Sequence, residues 1–276
     1  MKTGNRNRLL VDIVVMFFAC LLFVVPFYFI LLNSLKNRRD AGLMNLNLPD
    51  ALHFENFAEV ISTNNFMLVR AFFNSAIITI GGILVLVAVC SLGGYVLQRI
   101  AGKFMMGMNF MILAGLMVPP AIMPTIWVMQ RIGIYRSLFG MILVEAALNI
   151  PFTTMLYRGY TASIPREIEE AAYVDGCNSI RSFVQIIFPL LLPVTATVFV
   201  LSSVNIFNDF VNPLYFLPGS QNPTVQLTLY NFMGRYASSW NMLFADVVLI
   251  TVPPLLLFIF FNRKIVSGIT AGAIKG

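Results

Sequence analysis

The segment Glu169–Gly176 reads EEAAYVDG. It lies in a chain of 276 residues that is 58% hydrophobic and only 11% charged. Yet seven charged residues fall between positions 158 and 181: Arg158, Arg166, Glu167, Glu169, Glu170, Asp175 and Arg181. A charge at the centre of a membrane helix costs ~2.5–3.5 kcal/mol even on a lenient insertion scale. Seven together would cost on the order of 20 kcal/mol, so this segment lies outside any bilayer.

The surrounding sequence requires a bilayer. Mean hydropathy is +0.82. Apolar stretches recur at 9–32, 71–97, 104–124, 138–156, 183–207 and 242–261. A hydrocarbon core of ~30 Å needs ~20 mainly apolar residues per helix, so these six predict six transmembrane helices in an all-α integral membrane protein. Alternation in ~10-residue units, the mark of a membrane β-barrel, is not seen. The first stretch is too long for a cleaved signal and has no small-x-small site after it. FFAC, Phe17 to Cys20, resembles a lipoprotein site only superficially, because the apolar run continues past Cys20.

Cys20, Cys90 and Cys177 have no metal-ligand spacing, and His53 is the single histidine. We therefore expect no disulfide, metal site or histidine-based catalysis. The net charge of +6 is not gathered into one basic face. It fits lipid headgroups and topology setting, not nucleic acid.

Six crossings put both termini on one side. That side carries eleven basic residues: Lys2, Arg6, Arg8, Arg99, Lys103, Arg158, Arg166, Arg181, Arg263, Lys264 and Lys275. The other carries seven: Lys36, Arg38, Arg39, Arg70, Arg131, Arg136 and Arg235. The excess places both termini and the charged segment in the cytoplasm. KNRR, Lys36 to Arg39, argues the other way. The longer outer loops, about 33–70 and 211–241, are rich in Asn, Pro and aromatic residues and are expected to be folded caps. Prolines within the spans, and the pairs Gly81–Gly82 and Gly93–Gly94, predict kinked, closely packed helices and also suit hinges.

The charged segment reads as a helix from Pro165 to Asp175, about 15 Å long at ~1.5 Å per residue. Ser163 is a cap candidate, Pro165 suits a first turn, and Gly176 is a left-handed stop. Ile164, Ile168, Ala171, Ala172 and Asp175 share one face, where small alanines admit another surface. Glu170 and Asp175 flank it with negative charge. A second helix starts near Asn178 and leads through Phe183, Ile186, Ile187 and Leu190 into the fifth span. Two readings remain open: a lever joined to a membrane helix, or an ordinary amphipathic surface helix.

EEAAYVDGCNSIRSFVQIIFPLLLP resembles the EAA loop of ABC importer permeases, E-A-A-x-x-x-G-x(9)-I-x-x-P. Glu170, Ala171, Ala172, Gly176, Ile186 and Pro189 match in place. Phe188 stands where Leu is usual and Cys177 where Ala is common. The resemblance runs from 74 to 276 through NSAIITIGG, LGGYVLQR, MVPPAIMPTIWVMQRIGIYRSLFGMIL, FNDFVNPLYFL and VSGITAGAIKG. It is nearest the smaller, six-helix permease partner of the maltose-type carbohydrate importers.

This resemblance implies a type I ABC importer permease fold in a bacterial or archaeal cell membrane. It implies an N-terminal tail, first helix and outer loop over 1–70, a permease domain over 71–262 and a cytoplasmic tail over 263–276. It also implies a coupling helix that docks in a cytoplasmic ATPase dimer through Glu170, Ala171, Ala172, Asp175 and Gly176, with Pro189 in the connecting arm. A second permease subunit and an external sugar-binding protein complete the expected assembly. The chain has no G-x-x-x-x-G-K-[ST] loop, so ATP belongs to a partner and no cofactor is expected here.

Asn205, Asn208 and Asn212 follow i, i+3, i+7 spacing, with Asp209 beside them. They read as a sugar path, as a contact with the binding protein, or as loop capping. Amides both donate and accept, as hydroxyl groups require. No Lys or Arg lies between 183 and 217, which disfavours an anion path. Glu145 and Asp246 are lone carboxylates within spans, expected to pair with an Arg or face a wet cavity. The implied function is sugar import, probed against import of another solute (a glycerol phosphodiester or amino acid) and against a secondary transporter or channel acting alone. The last would favour internal repeats and midplane ionisable residues, which are not evident.

The topology has a direct test. Cys177 should react with a membrane-impermeant thiol reagent in inside-out vesicles and not in intact cells, with Cys177→Ser as the blank. Labelling of intact cells would reverse the orientation.

Overall fold

The computed structural model describes residues 3–234 and 238–273, with side chains described from 11 to 256, apart from 235–237, and at 259 and 260. The basic residues expected on the two tails, and Arg235, lie outside the residues whose side chains are described. So does most of the C-terminal VSGITAGAIKG segment.

Among the described residues the regular structure is entirely helical. The long apolar helices are α1 (Thr3–Ser34), α3 (Glu55–Arg99) and α6 (Leu138–Thr161), each with a window long and apolar enough to cross a bilayer alone. Two bent pairs are long and apolar enough only when each pair is taken together. α4 (Lys103–Met117) and α5 (Ile122–Arg131) meet at 115°. Between them stand Pro119 and Pro120, which lack the N–H a continuous helix needs. The segment Ser179–Leu190 meets α10 (Leu192–Phe207) at 69° across Leu191, with Pro189 and Pro193 on either side. α13 (Trp240–Ala273) supplies a sixth apolar stretch, Trp240–Leu256. All six expected stretches thus fall in helices, two of them broken.

The chain divides into two compact units, one of Arg70–Leu227 with the chain from Pro253 onward, the other of the residues up to Val69 with Thr228–Val252. The apolar core belongs to the first. Leu86, Cys90, Met141, Tyr157, Ile187, Leu191 and Val198 are among its buried members. Tyr157 is fully buried, and its hydroxyl donates to Thr195 Oγ1 at 3.0 Å, which joins α6 to α10 without leaving a phenol unpaired. Ser137 caps α6 by accepting from the Gly140 amide at 3.0 Å.

In the other unit the segment that follows α1 is folded, as expected. α2 (Arg38–Gly42) is capped by Asn37, and α3 breaks at Thr63–Phe66, where Asn64, Asn65 and Phe66 have φ of 51°, 55° and 57°. Asparagine tolerates this left-handed conformation, whereas Phe66 is strained there. Lys36 is only 1% exposed. Its ammonium donates to Asn33 Oδ1 (3.0 Å), Asn45 O (2.8 Å) and Asn45 Oδ1 (2.9 Å). Burial pushes its pKa below the ordinary lysine value, opposed by nearby Asp40. Asn56 donates to Ser34 O and Lys36 O and accepts from Asn241 at 2.7 Å. The lysine that opposed the charge count is therefore a structural donor inside a polar knot, not a free charge in the loop.

The two members of the pair Gly93–Gly94 differ in their surroundings. A Cβ at Gly94 would stand 2.7 Å from Tyr157 Cβ and 2.8 Å from the Arg158 backbone nitrogen, so α3 and α6 touch there because no side chain intervenes. At Gly93 nothing lies within 4 Å. Gly94→Ala should destabilise by about 1–3 kcal/mol, as overpacking against backbone does. Gly93→Ala should be neutral or stabilise by about 0.5–1 kcal/mol through lower unfolded-state entropy. Thermal melting of the two purified variants checks the contrast, and equal effects would reject the α3–α6 contact.

Candidate functional site: a clamped surface helix and a polar cavity

The charged segment folds as α7 (Glu167–Val174), shorter than the expected 165–175 helix. Ser163 does not cap it. Its hydroxyl donates to Tyr160 O at the end of α6 (2.7 Å), and Arg166 occupies the cap position without a side-chain bond. Glu167, Glu169 and Glu170 occupy the first turn, where the helix dipole favours acids. The C-terminus closes as expected. Gly176 has φ of +80°. Its N–H bonds to Tyr173 O (3.0 Å), and the Cys177 N–H bonds to Ala172 O (2.9 Å), the paired pattern of a Schellman stop. Asn178 then accepts from the Arg181 amide at 2.8 Å and opens α8 (Ser179–Ser182). A π-helical turn, Phe183–Ile187, and α9 (Phe188–Leu190) complete the arm that meets α10.

The five residues expected on one face of α7 divide between two. Ile164 and Ala172 are buried and Ile168 partly so, whereas Ala171 and Asp175 are exposed. Ala172 therefore packs against this chain's own core side. The outward surface consists of Glu167, Glu170, Ala171, Tyr173 and Val174, with Val174 88% exposed. On the inner side, Glu169 is 8% exposed and accepts from Arg99 Nε at 2.6 Å and from the Tyr95 hydroxyl at 2.9 Å. Arg99 Nη2 also donates to Ile164 O at 2.7 Å. Sequence spacing did not single out these partners, which lie 74 and 70 residues from Glu169.

The second constellation is a cavity of about 580 Å³ lined by Asn205, Asn208, Asp209 and Asn212 together with Glu145 and Asn149. The four expected residues do converge, although not on one continuous helix. α10 ends at Phe207 and α11 (Val211–Phe216) begins after a turn. Asp209 makes that turn. Its Oδ1 accepts from the Val211 and Asn212 amides (2.9 and 3.3 Å), and its Oδ2 accepts from Asn212 Nδ2 (2.5 Å). Asp209 is thus a cap as well as a lining residue. Asn205 donates to Asn149 Oδ1 (2.8 Å), Asn149 donates to Glu145 O (2.9 Å), and Asn208 accepts from Gln226 (3.3 Å). Among the described residues Glu145 pairs with no Arg; it stands beside Asp209 at the cavity's buried edge. Phe207 packs against Phe72 with ring centroids 6.5 Å apart. The other lone carboxylate, Asp246, is fully buried and accepts from Thr228 Oγ1 at 2.8 Å.

The family model for the inner-membrane component of binding-protein-dependent transport systems matches residues 2–271. The chain belongs to this family. It is therefore a multi-pass transport component of the cell membrane. The permease is 32% identical over 257 residues to a probable starch degradation products transport system permease protein, AmyC, of Thermoanaerobacterium thermosulfurigenes, with 92% of this chain and 93% of that one covered. It is 30% identical to the melibiose/raffinose/stachyose import permease protein MelC of Bacillus subtilis, with 99% and 98% covered. A solved bacterial ABC transporter involved in import of the acidic polysaccharide alginate shares the fold at a TM-score of 0.81 and 20% identity, over 95% of this chain and 98% of the other.

Proposed function

We propose that this permease carries a neutral sugar, in the form of an oligosaccharide, across the membrane, powered by ATP hydrolysis in a separate ATPase dimer. The observation that carries the reading is the outward face of α7: short, acidic, closed at its C-terminus by the Gly176 stop, and fixed to the membrane helices from beneath. Glu170, Ala171 and Gly176 lie where an ATPase cleft would receive them, and Asp175 flanks that contact. Ala172 supports the helix from the inner side, and Pro189 sets the bend in the arm to α10. Docking places α7 and both termini in the cytoplasm, in keeping with the basic-residue excess.

The named imports of the relatives, starch degradation products and raffinose-type sugars, support a carbohydrate. The cavity's amides suit hydroxyl groups, and no cationic side chain among the described residues lines it. A second permease subunit completes the path, and an external sugar-binding protein delivers the solute. The many exposed apolar side chains of α1 and α4 meet lipid or that second subunit.

The test is radiolabelled uptake in a reconstituted complex with its binding protein, screened across sugars, amino acids and phosphodiesters. Uptake of a charged solute with no response to any sugar would reject the carbohydrate assignment. Within that system, Gly176→Val must place a β-branched residue at positive φ, at about 1–2 kcal/mol. Gly176→Val and Glu170→Lys should insert normally, bind the ATPase weakly and lose uptake. Asn208→Leu should slow transport or change the preferred sugar while assembly survives. Normal uptake in all three would sink both assignments.

A further inference from the structure

We propose that Arg99 is a positioning residue that carries displacement of α7 into α3, through Glu169 and Tyr95. The inference rests on the reading of α7 as the ATPase-coupling helix and specifies how its motion enters the membrane domain. The planar guanidinium holds two separate pieces of chain at once, the Glu169 carboxylate in α7 and the Ile164 carbonyl in the α6–α7 connection. Tyr95, one turn earlier on α3, takes the other carboxylate oxygen. Its ring also packs against Phe183 at 5.3 Å, the first residue of the π turn in the arm to α10. The last turn of α3 therefore grips α7, the connection before it and the arm after it.

The link is stiff for a physical reason. The Arg99 and Glu169 side chains are each only 10% exposed. Exposed pairs exchange with water readily. A pair removed from water, with both carboxylate oxygens occupied, has no alternative partner nearby. The charges also sit at favourable helix ends, Arg99 in the last turn of α3 and Glu169 in the first turn of α7.

α3 then reaches the cavity. Gly82 is 17 residues from Arg99, about 25 Å along a helix. A Cβ there would stand 3.0 Å from Ile206 Cδ1, next to Asn205. Further along, Ser75 Oγ accepts from the Val225 amide, and Asn74 donates to Pro223 O in the segment beyond the cavity. One rod thus contacts the coupling helix at one end and the cavity-bearing helix at the other.

The experiment uses the reconstituted complex and measures ATPase association, basal ATP hydrolysis and sugar taken up per ATP hydrolysed. Arg99→Lys keeps the charge and loses the fork; Glu169→Gln keeps the shape and loses the charge; Tyr95→Phe removes one hydroxyl. We expect all three to assemble and to hydrolyse ATP at the basal rate. Uptake per ATP should fall roughly fivefold or more in the first two, the scale of a coupling interaction, and measurably in Tyr95→Phe. The double variant Arg99→Glu with Glu169→Arg should recover part of the ratio lost by either reversal alone. Wild-type uptake per ATP in Glu169→Gln and Tyr95→Phe would overturn the proposal. So would loss of assembly in Arg99→Lys with unaltered coupling in Tyr95→Phe, which would leave only a scaffold role. Glu170→Lys separates the two levels. Normal association and uptake in that variant would instead remove α7 as the coupling helix.

Discussion

Hydrocarbon offers no partner for a peptide N–H or C=O, so every spanning segment must satisfy its own backbone. That constraint fixes most of this architecture. It makes the spans helical and confines each break to a place where other groups can replace the lost bonds. The α4–α5 break falls at Pro119–Pro120, where two N–H donors are already missing. The break before α10 falls between Pro189 and Pro193, and the Leu191 N–H there still finds Ile187 O and Phe188 O at 3.0 Å. A separate cost, that of a charged side chain in hydrocarbon, keeps the charged 158–181 segment outside the bilayer. That segment can then turn sharply after α7, because the Schellman bonds at Gly176 close one helix and the Asn178 cap opens the next.

Cations in an apolar protein are costly unless their donors are used. Lys36 and Arg99 show two solutions. Lys36 spends its three protons on Asn33 and Asn45 and serves as the centre of a loop. Arg99 spends its fork on a carboxylate and a carbonyl and joins parts of the chain distant in sequence. Removing either partner of such a buried pair leaves an uncompensated charge, at about 3–5 kcal/mol. Replacing both partners with apolar groups of similar volume can be neutral for stability. Stability alone therefore gives no reason for an ionic contact at this position, whereas a contact that must transmit direction does, because Arg99 and Glu169 are each held by one further bond, to Ile164 O and from the Tyr95 hydroxyl.

What was legible in the sequence was local. The six apolar stretches, the stop at Gly176, the helix start at Asn178 and the convergence of Asn205, Asn208, Asp209 and Asn212 all follow from neighbouring residues and spacing. Spacing defines one face for Ile168, Ala171, Ala172 and Asp175, with Ala171 about 100° from Ala172, but burial centres on Ile168, Glu169 and Ala172 and leaves Ala171 and Asp175 at the exposed edge; only tertiary packing decides where that centre falls. Glu169 was indistinguishable from Glu170 in the sequence, since only a tertiary contact with Tyr95 and Arg99 tells the buried acid from the exposed one. Glu145 was expected to pair with an Arg or face a wet cavity, but neither it nor Asn149 was joined to the asparagine cluster, for the same reason. They lie on α6, and only packing against α10 brings them there. The π turn at Phe183–Ile187 has no signature in spacing. The basic-residue count misweighted Lys36 because counting cannot see burial.

The cavity's chemistry is narrower than its composition suggests. Two carboxylates line it, which on paper would favour a cation. Asp209, however, has both oxygens engaged by the start of α11, with the Val211 and Asn212 amides on one and the Asn212 side chain on the other. Glu145 is only 2% exposed, so its carboxyl group has little direct access to the space. The polar groups left to meet a solute are mostly amides. Each offers both a donor and an acceptor, and each is oriented by a neighbour: Asn205 by Asn149, Asn208 by Gln226, Asn212 by Asp209. Such a wall matches a ring of hydroxyl groups, which also donate and accept, better than it matches a bare ion of either sign.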